Sequence, residues 1–381
     1  LINMINMRSQ MSWLTADEAL ALMGTKAQTL YANVSRGRIA ARPDPEDPRR
    51  SLYRAEDVAR LAERRQGRRP ARAVAAEAIA WGEPVLPTSI STVRAGHLLY
   101  RGTDAAELAE TGTLEDAAQL LWASGTRPDF SRGGAAGFTG IAGAYGAIAA
   151  MAAADMPSLG RGKSVLVADG ARVVGALAGS LAGPGNAPLH QRLAKHWQRL
   201  EAEDALRQAL VLLAEHELNA STFAARVTAS TGAPLAAAVL AGLAALSGPL
   251  HGNASQSMVG LVAEAKARGA IAAIDQKIRQ GIKLSCFGHR LYPEGDIRAR
   301  VLMGAFDVPQ IYRELAAAGE ELTGETPDID FALAALTEAY ALPADAPLQI
   351  FALARSVGWI AHALEQVETG TLIRPRARYV G

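Results

Sequence analysis

The sequence predicts a mainly α-helical protein, with a small basic head in front of a much larger helical body. Three observations carry that expectation. Alanine is abundant and period-two alternation of β-branched residues is rare, so strand signals are scarce beyond residue 73. Apolar stripes at helical spacing recur, as in Leu206, Ala209, Leu210 and Leu213, and Phe351 to Val367 is apolar on most sides, as in a helix enclosed by others. The charge is also divided. The 381 residues hold 39 Lys+Arg against 38 Asp+Glu, but residues 1–73 carry 14 basic and 8 acidic side chains, a net +6. The remainder carries 25 and 30, a net −5.

The length suits two or three domains with ample core. A hydrophobic share of 49% at near-zero net charge excludes a disordered chain. One cysteine excludes an internal disulfide framework and any zinc site of several thiolates, and points to a reducing, cytoplasmic compartment. Leu1 to Met7 is too short for a secretory core, and Met4, Met7 and Met11 can each be a start. Val227 to Leu250 is long enough to span a bilayer, but it is mostly Ala and Gly and contains Pro234. A buried helix is the better reading, and no membrane is expected.

The head, residues 11–65, reads as helix, turn, helix, loop, helix. Thr15 and Glu18 have the spacing of a capping box, Ala19, Leu20, Leu22 and Met23 form an apolar face, and Gly24 ends the helix. A second helix starts near Thr25 or Lys26, includes Leu30 and Val34, and is broken by Ser35-Arg36-Gly37-Arg38. Pro43, Pro45 and Pro48 force an extended, arginine-rich loop, and Leu52-Tyr53 leads into a third helix from Ala55 to Arg64. Two helices across a tight turn suit a major groove, and the loop resembles a wing. The pattern is similar to the winged helix-turn-helix of MerR-type regulators and excisionases. On that reading Lys26, Arg49 and Arg50 face DNA phosphates. The alternative is a helical protein-interaction module with solvated basic residues. Residues 66–73 form a basic linker.

In the body, His216, His251, His289 and His362 lie in the C-terminal half among arginines in apolar surroundings. Buried cations are costly unless anions pair with them, and a substrate with several carboxylates supplies anions. Three segments are sharper. Ser247-Gly248-Pro249-Leu250-His251-Gly252-Asn253 sets an imidazole among small residues. Cys286-Phe287-Gly288-His289-Arg290-Leu291-Tyr292-Pro293 is followed by Asp296-Ile297-Arg298. Thr326-Pro327-Asp328-Ile329-Asp330-Phe331 brings two carboxylates into a helix.

Together these resemble citrate synthase, whose marks are Gly-Pro-x-His-Gly-Gly, Gly-Phe-Gly-His-Arg-x-Tyr with an Arg nine residues past the His, and Asn-Val-Asp-Phe. His216-Glu217-Leu218-Asn219-Ala220-Ser221-Thr222, Arg355-Ser356-Val357-Gly358-Trp359 and Arg374-Pro375-Arg376 fit as well, and the resemblance runs from about Pro87 to Gly381. It implies a large helical domain, 74–252 with 343–381, and a small one, 253–342, that close on each other. It implies Asp330 as the base, His251 as the donor to a thioester oxygen and His289 as the group that polarises a ketone. Arg298 and Arg355 hold carboxylates, His216 adds a polar contact, and Arg374 reaches the partner's site in a homodimer. The implied reaction condenses acetyl-CoA with oxaloacetate and hydrolyses the thioester to citrate and CoA, with no resident cofactor and no metal. Propionyl-CoA, giving 2-methylcitrate, is an alternative acyl donor. A DNA-binding metabolite sensor is another.

Each site residue has a plainer reading beside it. Asp328 and Asp330 can be helix caps, Arg374, Arg376 and Arg378 a basic tail, and Cys286 a small buried apolar residue. His97, His190, His196 and His362 read as satisfied core histidines. The sequence also departs from the family at Asn253, Pro293, Ile297, Asp328 and Ala332-Leu333-Ala334. Pro293 stands where a cation usually meets a CoA phosphate, and Lys283 is a candidate replacement.

Overall fold

The computed structural model describes residues 13–23, 25, 27–35, 37–45, 47, 50–59, 86–132, 139–252 and 254–377. The chain divides into two compact units, Leu1–Pro87 and Thr88–Gly381.

The first unit opens with β1 (Trp13–Leu14), α1 (Ala16–Met23) and α2 (Ala27–Ser35). The expected capping box is present: Glu18 accepts from the Thr15 amide at 2.9 Å, and Thr15 Oγ1 accepts from the Glu18 amide at 3.4 Å. The segment expected as an extended loop leading into a helix is instead a hairpin, β2 (Ala41–Pro43) and β3 (Ser51–Arg54). β3 is the central strand of an antiparallel sheet ordered β1-β3-β2, with Leu14 opposite Tyr53. Pro43 is tolerated because it closes an edge strand, where a missing N–H breaks no ladder. Leu14, Ala19, Met23, Leu30, Ile39, Tyr53 and Val58 make the core. The third helix is seen at residues 55–59; its continuation, the linker, Lys26 and Arg49 lie outside the described residues.

Among the described residues the second unit is mainly helical, with one sheet that the scarcity of strand signals hid. β4 (Ser91–Arg94), β5 (His97–Tyr100) and β6 (Thr103–Asp104) form an antiparallel meander. α3 (Ala105–Thr111) and α4 (Leu114–Trp122) follow, the latter started by a Thr113–Asp116 capping box. α5 (Gly140–Ala154), α6 (Lys163–Ala182), α7 (Leu189–His196) and α8 (Glu203–Leu213) come next, then α9 (Ala220–Ser230) and α10 (Leu235–Leu246). The apolar stretch from Val227 to Leu250 is therefore two helices, parted at Gly232, whose φ of +80° suits glycine. Among the described residues one helix, α6, is long and apolar enough to cross a membrane, and 67% of that window is buried inside the protein.

The last helices are α11 (Gln256–Arg268), α12 (Ala270–Arg279), α13 (Ile297–Gly304), α14 (Gln310–Thr323), α15 (Ile329–Ala339) and α16 (Ala346–Thr369). α16 is buried for most of its length and packs on α4, α6, α8, α9 and α10. Small residues let those helices approach it: a Cβ on Gly242 would stand 2.6 Å from the Trp359 ring, and one on Gly170 2.7 Å from Ile360. A second apolar cluster joins α11, α12 and α14 to Phe287 and Phe331, whose rings meet edge-on at 5.3 Å.

Candidate active site

His216 sits in the turn between α8 and α9. Glu217 holds the left-handed conformation, φ +51°, and its carboxylate accepts from the Val93 amide of β4 at 2.6 Å. Asn219 caps α9 by accepting from the Thr222 amide at 3.0 Å. The turn drives the His216 ring inward, where Nε2 lies 2.9 Å from the Tyr292 hydroxyl and the ring 5.1 Å from that of His289. Burial, then the charges of Arg298, His289 and Arg355, hold the His216 pKa well below the usual imidazole value.

His289 follows Gly288, which has a φ of +71° and donates its amide to Thr326 at 2.9 Å. His289 Nδ1 accepts from the Leu291 amide at 3.2 Å, so the single proton of the neutral ring sits on Nε2. Burial and Arg298 lower its pKa to about 4. The site therefore presents a neutral N–H donor. Arg298, in the first turn of α13, is almost wholly buried and forms a two-pronged pair with Asp296 at 2.9 and 2.7 Å. Its guanidinium lies 5.2 Å from the Tyr292 ring. Burial alone would lower the Arg298 pKa, but Asp296 outweighs it and raises it. Asp296 also accepts from the Ile329 amide at 3.1 Å, which ties α13 to the start of α15.

His251 ends the α10 loop. Its Nε2 lies 2.8 Å from Ser221 Oγ, which also accepts from Trp359 Nε1 at 3.1 Å. The Ser221 proton has two acceptors in reach, Asn219 Oδ1 at 2.9 Å and His251 Nε2. Given to His251, it places the imidazole proton on Nδ1, free for a ligand oxygen. Burial and Arg355 lower the His251 pKa to about 4. Arg355 lies in buried α16, with Nε donating to the Leu213 carbonyl at 2.9 Å and Nη2 buried without a partner. Burial lowers its pKa to about 10, against the raising charge of Glu215.

Asp328 caps α15, accepting from the Asp330 and Phe331 amides at 3.0 and 3.2 Å. Asp330 is not the cap. Its Oδ1 is buried and unpartnered, and burial followed by the Asp328 charge raises its pKa well above the carboxylate range. Asp328 itself is raised to about 6 by burial and Asp296.

The structure thus gathers His216, His289, Tyr292 and Arg298 by direct contact. The charges of Arg355 and Arg298 act on His251 and Asp330 respectively. Lys283 stands apart, exposed on a shallow groove of about 260 Å³ with Ile282, Leu284, Phe287 and Glu325. Arg374 is exposed in the extended segment after α16, which is fixed where the Ile373 amide meets Ser230 at 3.1 Å. Among the described residues no hydrogen bond joins Arg374 to the cluster. Arg50 is exposed and pairs with Asp47 at 3.3 Å.

Among the other histidines, His362 is fully buried against Glu215 and His190 is buried, but His97 and His196 are exposed rather than core residues. His97 bonds Asp104 on the meander, whose other face buries Leu98 and Tyr100. Cys286 is buried and burial pushes its thiol pKa up, which disfavours a thiolate. Asn253 lies outside the described residues. Sequence reasoning gave no role to Tyr292, Asp296, Ser221 or Trp359. All four fall inside quoted segments, but no spacing signal relates Trp359 to Ser221. Among the described residues no group of three or more His, Cys, Asp or Glu can share a metal ion.

A family model described as citrate synthase, C-terminal domain, matches residues 160–376. The chain is 39% identical over 185 residues to the citrate synthase of Haloferax volcanii, covering 45% of this chain and 49% of that one. It is 35% identical over 191 residues to the 2-methylcitrate synthase of Mycobacterium tuberculosis, covering 46% and 48%. The chain thus spans about half the length of the curated relatives it matches. The solved citrate synthase of Pyrobaculum aerophilum superposes with a TM-score of 0.66 at 27% identity, covering 78% of this chain and 90% of that one. With the family model matching more than half of its length and its helices superposing on a solved relative, the chain belongs to the citrate synthase family.

Proposed function

We propose that the protein condenses acetyl-CoA with oxaloacetate and hydrolyses the resulting thioester to citrate and CoA. The observation that carries this reading is a buried cluster in which neutral imidazoles, two guanidiniums and a carboxyl of raised pKa act on one another. The guanidiniums of Arg298 and Arg355 suit the two carboxylates of oxaloacetate. His289 Nε2–H donates to its ketone oxygen, and His216 adds a polar contact. Asp330 takes a proton from the acetyl methyl while His251 donates to the thioester oxygen, so negative charge on that oxygen is met as it grows. The methyl carbon then attacks the ketone carbon, and water cleaves the thioester.

The cluster of α11, α12 and α14 supports a small domain within 253–342 that closes with a large one on the substrates, and α13 and α15 join the two, since Ala299, Leu302 and Leu333 pack in the larger cluster. Lys283 is the proposed CoA contact. A homodimer completed by the partner's Arg374 is supported by the exposure of Arg374 here and by the exposed alanines of α5. The buried single thiol suits a reducing cytoplasm. Free-thiol release with acetyl-CoA or propionyl-CoA, each with oxaloacetate, tests the activity and the acyl preference together. Acetyl-CoA turnover that Asp330→Ala abolishes is expected; no release by the folded wild type refutes the proposal.

A second reading concerns the first unit, as a DNA-binding head beside the enzyme or on a sensor. Tyr31 is exposed on α2, and Arg42, Arg50 and Arg54 are exposed on and beside the hairpin, a helix beside a wing with a basic rim. Salt-sensitive DNA binding, weakened by Lys26→Ala or Arg49→Ala, is the expected result.

A further inference from the structure

His216 lies between two glutamates, and the proposed chemistry leaves the first of them unused. Glu215 is fully buried and its side chain lies along α16, with Cγ 3.0 Å from where a Cβ on Gly358 would stand. Arg355 precedes Gly358 by three residues and His362 follows it by four, so one face of α16 carries all three, with Glu215 over the middle. Both carboxylate oxygens are engaged. Oε2 accepts from Ser91 Oγ, and Oε1 from His362 Nε2 at 2.8 Å.

The second bond is directed from its far side. Arg226 Nη1 lies 3.2 Å from His362 Nδ1, and a guanidinium has no lone pair to offer. Nδ1 is therefore the acceptor, and Nε2 carries the proton that Glu215 receives. Arg226 is itself held by Glu365 at 2.8 Å and Gln366 at 2.9 Å, and Glu365 accepts from the Ser89 amide at 2.8 Å.

Arg355 stands beside this chain but outside it. Its Nε is bonded to Leu213, and its Nη2 is buried without a partner among the described residues. A buried guanidinium lacking an anion is strongly unfavourable, and the acid whose charge acts on it is Glu215. We infer that Glu215 is a positioning residue, the resident counter-charge of Arg355, held off the guanidinium by Ser91 and His362 so that Nη2 stays open to a substrate carboxylate. This rests on the reading of the pocket as a dicarboxylate site.

A charge so placed acts in two opposite ways. It balances Arg355 when the pocket is empty, and it repels the carboxylate that arrives. Glu215→Gln removes the charge with little change of shape. The amide carbonyl accepts from His362, and the amide nitrogen faces Ser91, whose hydroxyl turns to accept. Ser91→Ala does the reverse, since it frees Oε2 to close on Arg355.

The test measures oxaloacetate binding by calorimetry and thermal unfolding at pH 7 on the full chain. Glu215→Gln is expected to lower the melting temperature of the empty protein yet bind oxaloacetate about tenfold more tightly. Ser91→Ala is expected to bind about tenfold more weakly, and to lose that effect in the Glu215→Gln background. Binding by wild type that Glu215→Gln leaves unchanged or weakens, or losses that add in the double variant, overturn the inference alone. If Glu215→Gln fails to fold, unchanged affinity in Ser91→Ala overturns it. A wild type that does not bind oxaloacetate overturns the dicarboxylate reading and this inference with it.

Discussion

A carboxyl that takes a proton from carbon must be a strong base and still be ionised, and burial together with Asp328 sets that balance for Asp330. The Asp328 charge adds to burial in raising the Asp330 pKa. Asp328→Asn keeps a good helix cap and removes the charge, so the acid limb of kcat is expected to move to lower pH. The plateau is expected to fall severalfold as the base weakens. The same change affects stability. The Asp328 pKa rises from 3.8 to about 6 on folding. Its contribution is therefore fully present below 3.8 and lost as pH rises through 6. The asparagine variant should be more stable by on the order of 2 kcal/mol above pH 6, with the gain vanishing towards pH 4 in thermal melts at stepped pH. Ser221→Ala removes the hydroxyl that lies 2.8 Å from His251 Nε2 and, where it donates there, leaves the imidazole proton on Nδ1. A kcat drop of about one to two orders of magnitude, with oxaloacetate affinity retained, is the expected outcome by steady-state kinetics and calorimetry. That His216, His289 and Arg298 lie together was legible because each sits in a run of distinctive neighbours. Ser221 was not, because its partners His251 and Trp359 lie 30 and 138 residues away.

Among the elements, α10 and α16 meet at Gly242 and Trp359, and that contact reaches the chemistry. Trp359 donates to Ser221, which holds His251. Gly242→Ala forces a methyl group against a fully buried ring. It should cost about 1–3 kcal/mol in chemical denaturation, and kcat should fall further than the oxaloacetate affinity does. The enclosed character of α16 was readable from its lack of any polar face. The β4–β6 meander was not, since strands of two to four residues are too short to register an alternation. The β2–β3 hairpin was hidden by its prolines, which on an edge strand are harmless. The Thr15–Glu18 capping box was legible because it needs two residues three apart and nothing from the rest of the fold, while the Thr113–Asp116 box was not read.

For the whole molecule, the division at Pro87 and Thr88 leaves every proposed catalytic group in the second unit. Residues 88–381 expressed alone are expected to release CoA within about twofold of the full chain under subunit-matched conditions, while any DNA affinity is lost. The split in charge at residue 73 anticipated two parts but not the position of the boundary, since charge marks composition and contacts mark folding. The contact of β4 with the His216 turn carries a practical consequence for fragments. Glu217 keeps its left-handed backbone by bonding the Val93 amide, and Ser91 Oγ accepts from the Glu217 amide at 3.1 Å. Both anchors lie well before residue 160, where the family match begins. A clone trimmed to that boundary would contain every signature motif and still lack the clasp that aims its first histidine. It should purify as a citrate synthase by sequence and behave as an inert one at the bench.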